Sequence, residues 1–183
     1  MASRRSPVQA RSKRTVERIL DAAAHVFGER GYAATTNHIA ERAGLSIGSL
    51  YQYFPDKDAM MAALYDRHLD RVASHLVGRG PDQDDESWVR WLVAELITVN
   101  TQPEASVLWQ TSRTVPAMRA RLEALVDALV ADAGTALGIR SPLRSRAVIV
   151  TALATVHEIA LPTPTPVRRR VAVDAVLAVA THP

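Results

Sequence analysis

The sequence predicts an all-α chain of about nine helices, and three observations carry that prediction. Apolar residues make up 48% of the 183 residues but aromatics only 5%, with Ala, Leu, Val and Arg abundant, a composition that favours helix. Few segments show the two-residue alternation of a half-buried strand, whereas apolar residues recur three and four apart in segment after segment. Gly and Pro stand at the ends of those segments, where helices stop and start.

The first helix covers Thr15–Arg30, with Val16, Ile19, Leu20, Ala23, Val26 and Phe27 on one stripe. Gly31 closes it. Thr35 and Thr36 can cap a short second helix by accepting from its free backbone N–H groups, and Ile39, Ala40 and Ala43 share one of its faces. Gly44 follows where the chain needs a left-handed residue to leave a helix. Leu45 can bury across the turn, and Ser46 can cap a third helix, Ile47–Phe54. In that helix Leu50 and Phe54 face the core, while Ser46, Ile47, Gly48, Ser49 and Gln52 face outward. Pro55 stops the helix and Asp56 can cap the next one.

Two short helices around a tight turn have the layout of a helix-turn-helix, which lays its second helix in the DNA major groove. The outward set suits that role, because it is small and weakly polar at its start and lets the backbone approach base edges. Tyr51 and Tyr53 carry hydroxyls that can donate to phosphates, and Lys57 adds charge at the border. By spacing alone, a helical hairpin in an ordinary bundle fits as well, with both tyrosines half-buried.

Residues 15–57 also resemble the DNA-binding domain of TetR-family transcriptional regulators. The resemblance rests on Ile19-Leu20, Ala22-Ala23, Phe27, Gly31-Tyr32, Thr35-Thr36, Ile39-Ala40, Ala43-Gly44-Leu45-Ser46, Gly48, Leu50-Tyr51, Tyr53-Phe54 and Lys57, and covers roughly a quarter of the chain. It implies that Thr36, Tyr51, Tyr53 and Lys57 hold phosphates. Asn37, Ile47, Gly48, Ser49 and Gln52 then lie toward the bases, with the cap Ser46 also on the DNA-binding face, and Tyr32 packs its ring against the domain interior. This surface contains no Arg for bidentate guanine contact, but Asn37 and Gln52 can read adenine and Ile47 can meet a thymine methyl.

Charge agrees with that placement. Residues 1–57 carry nine Lys/Arg against five Asp/Glu (+4), and residues 58–183 carry thirteen against fourteen (−1). Residues 1–14 hold Arg4, Arg5, Arg11, Lys13 and Arg14 with no acid, so they are expected as a flexible basic arm attracted to phosphates, or as a solubilising tail. The expected domains are therefore the arm at 1–14, the helix-turn-helix at 15–57 and a C-terminal helical domain at 58–183.

A long helix follows Lys57 to about Val77, and the resemblance gives it the task of linking the domains. Gly78, Gly80 and Pro81, then Asp82 to Glu86, read as an exposed loop, with Asp84, Asp85 and Glu86 placed to favour a helix N-terminus. Further helices are expected near Ser87–Thr101, Glu104–Thr111, Pro116–Leu137 (ending at Gly138), Pro142–Leu161 and Pro166–Thr181, the last two separated by Pro162, Pro164 and Pro166.

Those last two helices are apolar on more than one face, through residues such as Val148, Val150, Leu153, Val171, Val173 and Val176. Burial on several sides calls for a partner surface, and the resemblance implies a homodimer through a four-helix bundle. The alternative is that both helices serve only the monomer's core. A small-molecule effector pocket falls in the middle of the chain, with candidates Trp88, Trp91, Val99, Trp109, Arg113, Met118, Leu122, Thr151, Thr155, His157 and Glu158. Large aromatics with a few polar groups suit an apolar ligand, although Trp at helical spacing also serves a core.

Enzymatic readings find no support, since G-x-S-x-G, H-E-x-x-H and a phosphate-binding Gly loop are all missing. The six histidines show no metal-ligand spacing, and His68 and His75, seven apart, read as a surface pair. There is no cysteine, no apolar run of about 18 residues and no secretory signal, so a cytoplasmic protein without metal or cofactor is expected. The sequence thus points to a homodimeric DNA-binding regulator, most readily a repressor released by a small molecule. An architectural DNA-binding protein and a helical interaction module remain as rivals.

Overall fold

The computed structural model describes residues 7–76, 84–102, 104–160 and 165–181. Arg4, Arg5, Val77, Gly78, Gly80, Pro81, Asp82, Leu161, Pro162, Pro164 and His182 lie outside the described residues. The described residues form nine α-helices and no strand, as the periodicity predicts. They are α1 Pro7–Arg30, α2 Thr36–Ala43, α3 Ile47–Tyr51, α4 Lys57–Leu76, α5 Asp85–Asn100, α6 Ala105–Ser112, α7 Pro116–Ala136, α8 Pro142–Thr155 and α9 Pro166–Thr181.

Several boundaries differ from expectation, some for a local reason. Among the described residues helix α1 is already formed at Pro7, ahead of the expected Thr15, so it runs through the last part of the basic arm. Helix α3 ends at Tyr51 instead of Phe54. Phe54 precedes Pro55, whose ring disfavours helical backbone in the residue before it. Helix α5 starts at Asp85 because Asp84, not a later residue, is the cap: its carboxylate accepts from the Ser87 N–H at 2.8 Å. Helix α6 is offset by one residue from its expected span. Helix α8 closes at Thr155 and widens into a π-turn, Val156–Ala160.

The chain divides into two compact units. The first holds residues 1–66 and 103–108, and the second holds 67–102 and 109–183. Helix α4 runs from one into the other, so the division falls inside it.

In the first unit, α1 packs on α2, and α2 on α3. Ile19, Ala23, Phe27, Ile39, Leu50 and Met60 are fully buried there. A core of this kind fixes the two short helices, neither of which is long enough to persist alone. In the second unit, α8 packs on α7 and α9, and α5 packs on both α8 and α9. Val89, Leu92, Leu96, Val148, Ala152 and Val176 build its core. Helices α7 and α8 approach closely at Gly134, where a Cβ would stand 3.1 Å from the buried Ser145 hydroxyl. Among the described residues, no helix is long and apolar enough to cross a membrane.

Candidate nucleic-acid interface

The turn between α2 and α3 is built by its own residues. Thr35 caps α2, accepting from the His38 N–H, while His38 reaches back to the Thr35 N–H in a reciprocal capping box. Gly44 adopts φ 63° and ψ 39°. Its N–H donates to the Glu41 carbonyl and the Leu45 N–H to the Ala40 carbonyl, both at 3.0 Å. That crossed pair is the Schellman exit, which satisfies carbonyls the helix end leaves open. Ser46 then caps α3 through the Ser49 N–H at 3.1 Å, and the two serine hydroxyls lie 2.8 Å apart. Asp56 caps α4 through the Ala59 N–H at 2.7 Å.

This frame sets the orientation of α3. Leu50 and Phe54 are buried, whereas Ser46, Ile47, Gly48, Tyr51 and Gln52 are exposed and Ser49 and Tyr53 half-buried. Asn37 is exposed on α2. Thr36 Oγ1 and Tyr51 OH come within 3.1 Å, so two of the residues expected at phosphates form one unit.

Tyr32 departs from its expected place. Its ring is 52% exposed instead of packed inward, because a cation and an anion hold it at the surface. The Lys57 ammonium lies 3.7 Å above the ring and donates to the Tyr32 carbonyl at 2.9 Å. The Tyr32 hydroxyl donates to Asp58 at 3.0 Å, and that carboxylate raises the phenol's pKa above its usual 10.0. Lys57 is therefore shared between the border of α3 and this clamp.

The structure sets two arginines of the expected basic arm, Arg11 and Arg14, beside Thr15 and Arg18, which the sequence reading did not single out as contacts. Arg11, Arg14, Thr15 and Arg18 on α1 line a groove of about 550 Å³ with Leu45, Ser49, Gln52 and Tyr53. Arg11, Arg14 and Arg18 are spaced to share one face of a helix, a relation that appears only once α1 is known to be formed already at Pro7. The groove gives α3 a cationic wall, the chemistry that attracts a sugar-phosphate backbone.

The effector candidates fall into separate groups. Trp88 is 2% exposed and pairs with Trp91 at 6.2 Å between ring centroids. Trp109 instead stacks on His157 at 4.0 Å and 13°, and its indole N–H and Arg113 both reach Glu158 at 3.5 Å. Val99 and Met118 are buried, and Leu122 packs half-buried on the second unit's core. Thr151 and Thr155 are half-buried, with the Thr155 hydroxyl donating to the Thr151 carbonyl at 2.7 Å. His68 corrects the expected surface pair. It is 5% exposed and bonded to Asn100, while His75 stays outside against Glu95. Among the described residues no group of His, Asp and Glu could hold a metal ion.

Among the described residues, large apolar side chains reach the surface in few places. Besides Tyr32, they are Ile47 and Tyr51 on α3, Leu143 and Val150 on α8, and Val167 and Val171 on α9.

Comparisons with known proteins bear on the fold and the family. Residues 19–64 match the family model described as bacterial regulatory proteins, tetR family. The HTH-type transcriptional repressor AcnR of Corynebacterium efficiens is 31% identical over 134 residues, which is 66% of this chain and 68% of AcnR. The HTH-type transcriptional activator FasR of Mycolicibacterium smegmatis is 46% identical over 57 residues, 31% of this chain and only 26% of FasR. A crystal structure of a tetR-family transcriptional regulator from Streptomyces coelicolor has a TM-score of 0.77 at 19% identity, covering 91% of this chain and 79% of that one.

Proposed function

Because the chain belongs to the TetR family of bacterial transcriptional regulators, we propose that it acts in the cytoplasm as a homodimeric repressor, binding a roughly palindromic operator and released by a small molecule. The observation that carries this reading is the exposed face of α3. Ile47, Gly48 and Gln52 stand in solvent on a capped, core-anchored helix, with the Thr36–Tyr51 pair at one side and Arg11, Arg14 and Arg18 along the other. A helix whose exposed start is small and weakly polar lets its backbone approach base edges, and Ile47 beside Gly48 can meet a thymine methyl.

The division of labour follows from chemistry. Thr36, Tyr51, Tyr53, Lys57 and the α1 arginines hold phosphates and set register. Asn37, Ser46, Ile47, Gly48, Ser49 and Gln52 face bases. Two copies of α3 must meet half-sites a whole number of DNA turns apart, and the exposed apolar residues of α8 and α9 supply a self-complementary face for that dimer. AcnR, similar over two thirds of both chains, is named a repressor, which supports repression over activation. The effector acts by binding the DNA-incompetent arrangement more tightly than the competent one, and the Trp109–Arg113–His157–Glu158 cluster is where its polar end docks.

Selection of duplexes from a random-sequence library, with sedimentation of the free protein, tests this reading. A recovered palindrome and a dimeric mass at micromolar concentration are expected. Recovery of no consensus from duplexes that nonetheless bind would replace it with an architectural role.

A further inference from the structure

Two histidine side chains and one backbone carbonyl meet on one buried amide. Asn100 of α5 donates its Nδ2–H to the Leu96 carbonyl at 2.7 Å. That bond fixes which end of the amide is oxygen, since the reverse orientation would set two carbonyl oxygens in contact. Asn100 Oδ1 consequently faces His68 of α4 and His157 at the end of α8, each ring Nε2 being 3.0 Å away. An amide oxygen only accepts, so both rings present Nε2–H to it, one for each lone pair.

His157 is committed twice. Its Nδ1 lies 2.8 Å from the Leu153 carbonyl, which also only accepts. Both His157 bonds exist together only in the imidazolium, where both ring nitrogens carry hydrogen. A neutral ring has one N–H and turns a lone pair toward an oxygen on its other side.

The surroundings divide over that proton. Burial holds the His157 pKa below 6.5, while the bond to Leu153 and the nearby Glu158 carboxylate favour the charged ring. The Trp109 face stacked on it suits a cation. His68 is opposed more strongly, by burial, by Arg71 and by a charged His157, and sits at about 4. Its Nδ1 is buried without a hydrogen-bond partner, so protonation there gains no bond. The charged groups that act on the pair include Arg71 on α4 and Glu158 with its Arg113 partner. Asn100 from α5 and Trp109 from α6 are neutral. The first proton goes to His157, at the π-turn, a local geometry that concentrates at functional sites.

We propose that His157 is a proton-operated latch on Asn100: charged, it ties the end of α8 through Asn100 to His68 on α4, and neutral, it gives up one of its two bonds. The cluster then responds to acidification as an effector site responds to a ligand. The latch itself does not rest on the DNA-binding reading. Its consequence for operator affinity does, because α4 is the helix that continues from the first unit into the second.

The test is a pH titration of the free full-length protein with isotope-labelled histidine and asparagine, followed by NMR from pH 8 to 4.5. His157 should gain its second ring proton with one midpoint below 6.5, and the Asn100 side-chain amide and His68 Nε2–H should shift with that same midpoint. In His157→Gln, which keeps a donor but cannot titrate, those two signals should stay flat until His68 itself titrates near 4. Asn100 signals that ignore the His157 titration in the wild type overturn the latch, whether or not the variant folds. For the regulatory consequence, affinity for a duplex selected from a random library should change several-fold between pH 5.5 and 7.5, and the change should vanish in His157→Gln. An equal pH response in both proteins rejects that role and leaves the NMR result to decide the latch.

Discussion

The Lys57 ammonium rests 3.7 Å above the Tyr32 ring and donates to the carbonyl of the same residue, joining the start of α4 to the turn after α1. Lys57→Ala removes both contacts and should cost about 1 kcal/mol of stability, the usual size of a cation–π pair at an exposed site. It should also weaken binding to every duplex and lower the salt slope of log Kobs by about 1. Urea unfolding and salt-dependent anisotropy read the two effects. Lys57→Arg, which keeps the charge, should preserve most of the DNA affinity.

Thr36 and Tyr51 act as a pair in the free protein, and both are assigned to phosphates. Tyr51→Phe should therefore weaken binding by roughly one hydrogen bond, about 1 kcal/mol, on operator and unrelated duplex alike. A loss confined to the operator would show that Tyr51 reads sequence instead.

The arginines of α1 carry a separable electrostatic contribution. Replacing Arg14 and Arg18 together by Ala should reduce the salt slope by about 2, at about 0.9 per phosphate. Stability should hardly change, because both side chains are exposed. An unaltered slope would remove α1 from the interface.

How far the sequence could be read depends on the range of each interaction. The α2–α3 unit was legible because its caps, its Gly44 exit and its Pro55 stop act within a few residues of where they are written. Helix α1 extends ahead of Thr15 through Arg11, Lys13 and Arg14, a stretch whose charge density reads as a flexible arm in the sequence. The Tyr32 clamp was not legible, since its partners lie 25 and 26 residues away. The Asn100 hub joins residues 32 and 57 positions apart, and no helical period announces it. His157 stood out in the sequence as a polar residue in an apolar helix. His68 did not, because its burial comes from packing.

Gly44 gives a purely conformational test of the turn. It holds φ 63°, and an added Cβ would meet nothing within 4 Å. Gly44→Ala should thus destabilise by about 1–2 kcal/mol through backbone strain alone, seen as a lower urea midpoint with an unchanged slope. A neutral result would mean that the exit relaxes to another conformation.

His68 makes stability depend on pH with a definite sign. Its folded pKa of about 4 lies below the ordinary 6.5, so between those values the unfolded chain binds the proton more readily. Its contribution is complete above pH 6.5 and is lost as pH falls toward 4, amounting to about 3 kcal/mol at the low end. Unfolding free energies at pH 7 and 4.5 should show most of that loss in the wild type and less of it in His68→Gln.

The central claim is that α3 reads sequence while its flanks grip phosphate. It is tested most directly by fluorescence anisotropy of the wild type and Gln52→Ala on the selected operator and on an unrelated duplex, at near-physiological salt. The account predicts tight, competitor-resistant binding by the wild type. It also predicts that Gln52→Ala loses operator affinity by about 1–3 kcal/mol while binding the unrelated duplex as before. Equal wild-type affinity for both duplexes, or an equal loss on both in the variant, would contradict it.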